Sequence, residues 1–221
     1  MRSFVRNNSL SLVVFGLFAF FMVGQAITGF LDNNEDLQEH GKPPVEMPEY
    51  LTSGHFVEAT AENWESEFLQ MAAYVVLTAA LYQRGSAESK KLGEKEAVDR
   101  DPRLSKNKKS APWPVRRGGW ILKLYENSLS IVFMLLFFIS FVLHAAGGAR
   151  ETSEEKMEHG GAPVTIIEYV SSSKFWFESF QNWQSEFLSL GAMAVLSIYL
   201  RQRGSPESKP VDAPHEQTGA G

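Results

Sequence analysis

Residues 63–90 read NWESEFLQMAAYVVLTAALYQRGSAESK, and residues 182–209 read NWQSEFLSLGAMAVLSIYLRQRGSPESK. The offset between them is 119 residues, and it holds well outside the quoted stretch. Asn8-Ser9-Leu10-Ser11 falls on Asn127-Ser128-Leu129-Ser130, His40-Gly41 on His159-Gly160, Pro44-Val45 on Pro163-Val164, and Glu49-Tyr50 on Glu168-Tyr169. From residue 4 to residue 90, about 37 of 87 aligned pairs are identical with no gap. Polar loops match as well as apolar segments do, so shared greasiness does not explain the likeness. The chain reads as a tandem duplication.

The 221 residues include no cysteine, which excludes disulfides, thiolate metal sites and cysteine nucleophiles. A mean hydropathy of -0.17 resembles that of a soluble chain, but the apolar residues are gathered in blocks. Residues 10–31 carry no charge, and residues 129–149 are interrupted only by His144. Each run is long enough to cross a ~30 Å hydrocarbon core. Shorter apolar runs lie at 68–82 and 187–200. Measured from Trp64 to Arg84, the first of these spans roughly 31 Å as a helix.

These lengths predict an all-α integral membrane protein with four transmembrane helices, at about 10–31, 64–84, 128–149 and 183–203. The first repeat unit is then 1–90 with an outer loop at 32–63, and the second is 119–209 with an outer loop at 150–182. Residues 91–118 form a charged, mobile linker, and residues 210–221 a disordered tail. Arg2, Arg6 and the small-residue triplet Gly24-Gln25-Ala26 also fit a cleaved signal peptide. The length of the run and its twin in mid-chain favour a retained helix. Because each unit crosses twice, both copies enter from the same side, a parallel repeat of helical hairpins.

Orientation follows from lysine and arginine. About 17 of the 21 basic residues lie in the N-terminus, the linker and the tail, leaving Lys42, Arg150, Lys156 and Lys174 in the loops. Both termini and the linker are therefore expected in the cytoplasm. By this partition the inside carries about +8 and the outside about -13, consistent with the net charge of -5. Trp64 and Trp183 are expected as interfacial anchors at the outer surface, Arg84 and Arg203 as cytoplasmic anchors near the helix C-terminal dipole. Gly85 and Gly204 are expected as helix caps, with Asn63 and Asn182 at the opposite ends. Trp176, Phe180, Trp183 and Phe187 share one helix face. A helix running from 174 to 200 would exceed the hydrocarbon core, which predicts a surface turn followed by a bend.

Candidate chemistry rests on a polar stripe along each even helix. Glu67, Gln70, Tyr74 and Thr78 share a face, and Glu186, Ser189, Met193 and Ser197 occupy the matching positions. One reading is a pair of carboxylates lining a cleft that binds a cation or relays protons. The plainer reading is that each carboxylate stabilises its helix N-terminus and bonds a facing helix. The second is preferred, because the carboxylates lie at the membrane edge and transport sites lie near the midplane.

His40 and His159, in EHGKPPV and EHGGAPV, sit beside Glu39 and Glu158 and offer two imidazoles and two carboxylates for a metal. No HExxH spacing accompanies them, and HGxxPV also reads as a turn. His144 aligns with Gln25, so a polar group recurs near the outer end of the odd helices and is expected to bond a partner helix. Lys106, Lys108, Lys109, Arg116 and Arg117 form a basic cluster suited to anionic lipid headgroups. No folded module supports nucleic-acid binding.

No phosphate-binding loop, nucleophile elbow, dinucleotide fingerprint or haem-attachment motif occurs. An enzyme and a cofactor are not expected. The NWxSEFL…QRGSxESK pair, with HGxxPV between, resembles a family of small bacterial membrane proteins known only as a domain of unknown function. The resemblance covers nearly the whole chain. It implies a multi-spanning bacterial membrane protein, with no assigned activity and no catalytic residues to carry over; the expected location is the bacterial inner membrane. The expected function is a non-enzymatic protein of the envelope whose acidic outer loops bind a partner. The alternative is a small cation or proton transporter, or channel subunit, built on the polar stripes. Four helices are few for a pore, so that alternative calls for a homo-oligomer. A metal-dependent membrane enzyme using the histidines is a weaker third reading.

Overall fold

The repeated HG dipeptides decide where the long helices stop. The computed structural model describes residues 2–219, with side chains from Phe4 onward. Its helices are α1 (Arg2–Asn7), α2 (Ser9–Glu39), α3 (Met47–Tyr50), α4 (Gly54–Ala80), α5 (Trp113–Arg117), α6 (Gly119–Glu126), α7 (Ser128–Glu158), α8 (Ile166–Val170) and α9 (Ser173–Tyr199). There is no strand among the described residues. Helices α2 and α7 each have 31 residues and α4 and α9 each have 27, and each pair is offset by 119. Among the described residues, two helices, α2 and α7, are long and apolar enough to cross a membrane.

Helix α2 runs past the apolar block because nothing in Asp32–Glu39 breaks it, there being no Gly or Pro until Gly41. Gly41 then takes φ 71° and Gly160 φ 74°, a left-handed conformation that costs glycine little. Lys42 N–H donates to the Leu37 carbonyl, Gly161 N–H to that of Lys156, both at 2.8 Å. This is the six-residue closure of a Schellman cap. The expected outer loops are therefore helical to Glu39 and Glu158, since hydropathy marks the membrane boundary and not the end of the helix.

Helices α4 and α9 also start earlier than expected. Ser53 Oγ accepts from Phe56 N–H at 3.1 Å and Ser172 Oγ from Phe175 N–H at 3.3 Å. These serines are the N-caps. Asn63 and Asn182 lie inside their helices, and the Asn182 amide bonds the Glu178 carbonyl one turn back at 3.1 Å. No surface turn separates residues 174–182 from the rest of α9, which is one helix of roughly 40 Å.

At the other end, α4 and α9 stop at Ala80 and Tyr199, before the QRGS stretch. Arg84 and Arg203 thus lie outside the helices, and Gly85 (φ 85°) and Gly204 (φ 84°) sit in tight turns instead of helix caps. Ser86 N–H donates to the Gln83 carbonyl and Ser205 N–H to that of Gln202, both at 3.2 Å. Ser89 Oγ and Ser208 Oγ each accept from the Gln83 or Gln202 N–H at 2.9 Å. The repeated QRGSxESK is a glycine-bearing β-turn clasped by a serine three residues later.

The chain divides into two compact units. The first takes residues 1–60 and 143–171, the second 61–142 and 172–221, so each draws on both halves of the sequence. In the first, Tyr50, Tyr169, Ala145 and Ala149 are buried. In the second, Phe137, Phe175, Ala61 and Ala72 are buried, with Phe141 packed edge-on against Phe175 at 5.1 Å. The linker, expected to be mobile, carries 3-10 turns at Ala97–Asp99 and Pro102–Ser105 as well as α5. Residues 210–219, expected as a disordered tail, are held by the buried Lys209 ammonium, which donates to the carbonyls of Gly85, His215 and Gln217 at 2.5–2.9 Å. Residues 220 and 221 lie outside the described residues.

Candidate functional site

In the first unit, glycines on α7 let α4 approach closely. A Cβ on Gly147 would lie 2.6 Å from Glu58 N, and one on Gly54 would lie 2.7 Å from Glu151 N. One residue on, a Cβ on Gly148 would overlap the Tyr169 ring. The same relation recurs between Gly29 and Tyr50, 119 residues earlier. This close contact brings together three buried polar side chains, Glu58 at 9 %, His144 at 0 % and Tyr169 at 1 % exposure. Tyr169 Oη donates to Glu58 Oε1 at 2.6 Å, and the His144 and Tyr169 rings meet edge-on at 6.4 Å. A Glu58 carboxylate oxygen and a His144 ring nitrogen lie within 4.8 Å of each other.

A cavity of about 550 Å³ opens in the same unit, lined from both loops. Six of its lining residues are carboxylates, among them Asp36, Glu49 and Glu155, against the basic Lys42 and Arg150. Both basic residues tie the two loops together: Lys42 pairs with Glu158, and Arg150 donates to the Thr52 carbonyl at 2.7 Å. Asn34 and Ser153 hold the loops' valines in the same way, accepting from Val45 and Val164 N–H at 2.8 Å. His40 and His159, the candidate metal ligands, both line this cavity. Each Nδ1 lies 2.9 Å from the carbonyl four residues back, of Asp36 or Glu155. A carbonyl only accepts, so Nδ1 is the donor in both contacts. Each histidine thus closes on a carbonyl in the last turn of its own helix.

Two groups in this unit are electrostatically displaced, and one of them, Tyr50, lines the cavity. Burial raises the Tyr50 phenol above its ordinary value, with the Asp32 and Glu151 charges adding to the effect. The Glu168 carboxylate is lowered, because it accepts hydrogen bonds from the backbone N–H and hydroxyl of Thr165 in a capping box.

In the second unit the polar stripe joins helices. Gln70 Nε2 donates to the Glu186 carbonyl and to Ser189 Oγ, both at 3.0 Å. Ser197 Oγ shares a hydrogen bond with Ser86 Oγ at 3.0 Å and accepts from Ala87 N–H at 3.2 Å. Thr78 donates back to the Tyr74 carbonyl at 2.7 Å. Glu67 is exposed and Glu186 half-buried. Of the expected anchors, Trp64 is partly exposed, and Arg84 pairs on the surface with Glu216 at 3.2 Å. Arg203 is exposed. Trp183 departs from a simple lipid anchor: its Nε1 donates to Glu65 at 3.1 Å and its ring packs on Phe137, Trp176 and Phe180.

Glu58, Glu65 and Tyr169 escaped the sequence reading, although a signal for two of them was present. Where the halves are aligned, Glu58 faces Phe177, Glu65 faces Gln184 and His144 faces Gln25. Glu58, Glu65 and His144 thus stand where the two copies differ, whereas His40, His159 and the QRGS glycines and serines, shared by both copies, lie at helix ends and in turns.

The fold is all-α, with two helices apolar enough to cross a membrane and a buried Glu–His–Tyr cluster in one unit. The chain belongs to a family described as a domain of unknown function (DUF6766), whose model matches residues 1–220. No curated protein and no solved structure matches it.

Proposed function

We propose that this is a four-span protein of the bacterial inner membrane, made of two like-oriented hairpins, α2 with α4 and α7 with α9. Both termini and the linker face the cytoplasm. In support, α2 leaves its apolar residues exposed around the whole helix, Leu10, Phe15, Phe20 and Phe21 among them. Lipid accepts such a surface and water does not. Helices α4 and α9 are less apolar, but Gln70 of α4 bonds Ser189 and the Glu186 carbonyl of α9, and Ser197 of α9 bonds Ser86 in the turn after α4. Val76, Leu77, Leu188, Val195 and Leu196 are left outward. The exposed Lys106, Lys108, Lys109, Arg116 and Arg117 fit contact with anionic headgroups.

The protein acts without catalysis, as an envelope binding protein whose outer loops receive a cationic partner. The acidic cavity shared by both loops carries this reading: six carboxylates against two basic groups favour a cation. The transporter alternative draws less support, since Gln70 bonds α9, Thr78 bonds its own helix backbone and Ser197 bonds Ser86. The test is calorimetric titration of the full chain in nanodiscs with spermidine, a small polycation. Saturable binding is expected, weakened at least tenfold by Glu49→Gln combined with Glu155→Gln. Absence of saturable binding contradicts the reading.

A further inference from the structure

The geometry points to a divalent-metal site centred on the Glu58 carboxylate and the His144 imidazole, with Tyr169 orienting the carboxylate. This inference is independent of the acidic cavity and uses none of its lining residues. The donors are one oxygen and one nitrogen, within 4.8 Å of each other. That separation closes on a shared ion with bonds of about 2.0–2.2 Å through small rotamer changes. Carboxylate and imidazole donors select a borderline first-row ion such as zinc, cobalt, nickel or manganese. The ion completes its shell with water or a further carboxylate.

Three observations carry the inference. First, both donors are buried, so a carboxylate and an imidazole stand side by side away from bulk water, where a cation between them interacts strongly with both. Second, Tyr169 Oη donates to Glu58 at 2.6 Å, the outer hydrogen bond that ligating carboxylates receive. Third, the fold does not need ionisable groups there. The positions 119 residues away carry Phe177 and Gln25, and Gln25 simply donates to Thr60 Oγ1 at 3.2 Å. Tyr50, counterpart of Tyr169, bonds His55 Nδ1 at 3.3 Å instead of a glutamate. The positions that carry a carboxylate and an imidazole here carry a phenylalanine and an amide in the other copy. Packing alone does not call for that difference.

The experiment uses the full chain in nanodiscs, stripped with chelator and titrated with cobalt(II), a spectroscopic stand-in for zinc. Visible d–d absorption should develop and saturate near one ion per chain. His144→Gln installs what the other copy tolerates at Gln25, so the variant should fold, and Glu58→Gln keeps an acceptor for Tyr169. Each should weaken cobalt binding at least tenfold, and Tyr169→Phe should weaken it by roughly tenfold, as loss of an outer-shell partner does. His40→Ala and His159→Ala together should leave the affinity unchanged. Wild-type protein that binds no cobalt, or binding that survives both His144→Gln and Glu58→Gln, overturns the inference. Should a variant fail to fold, the wild-type spectrum still decides, since bands lacking imidazole nitrogen in the shell exclude His144. Loss of spermidine binding with cobalt binding intact would remove the cavity reading and leave this one standing.

Discussion

Gly148 and Gly29 each leave room for a tyrosine, since a methyl at either position would overlap Tyr169 or Tyr50. Gly148→Ala should therefore destabilise the chain by about 1–3 kcal/mol, the usual range for overpacking. Thermal unfolding in detergent measures this, and Gly16→Ala, which meets nothing within 4 Å, is the control. Tyr50 supplies a pH dependence. Its folded-state value lies above the ordinary phenol, through burial and then the charges of Asp32 and Glu151. The folded chain holds this proton more tightly than the unfolded one. The stability it contributes is complete below about pH 10 and is lost as pH rises through the folded value. Tyr50→Phe should flatten the fall in melting temperature between about pH 9 and pH 11. At this scale the sequence was half legible. Repetition exposed His40, His159 and the QRGSxESK stretch, which lie at helix ends and in a turn. The buried Glu58 and Glu65 were hidden, because burial arises from packing against segments far away in sequence.

At the level of helices, the four long elements were visible as apolar runs but their ends were not. Helix α2 continues for eight residues past Leu31, because Asp32–Glu39 is polar yet contains no breaker. Hydropathy reports the solvent, and glycine reports the end of the helix. The stop signals at Gly41 and Gly160 stood in the sequence and were read only as turns. The starts at Ser53 and Ser172 were missed, because a single serine ahead of a mixed polar segment carries a weak signal. Ser53→Ala and Ser172→Ala should each cost about 1 kcal/mol, the ordinary loss of an N-cap. Chemical denaturation of each variant checks it, and the double variant should show the sum if the two sites are independent.

For the whole molecule, the 119-residue spacing of the sequence is also the spacing between helices of like length. Paired elements keep their offset of 119 residues from α2 and α7 through to α4 and α9. The two compact units cut across that duplication, each holding segments of both halves. Sequence repeats foretold the elements; they did not foretell this division, which depends on which faces pack. The central claim is that both loops emerge on one side of the bilayer and the linker on the other. The absence of cysteine makes that directly measurable. Single variants Pro43→Cys, Ala162→Cys and Ser110→Cys place a thiol at exposed positions in the first loop, the second loop and the linker. A membrane-impermeant maleimide applied to intact cells should label the first two and spare the third until the cells are broken. Protection of either loop position, or labelling of Ser110→Cys in intact cells, would contradict the account.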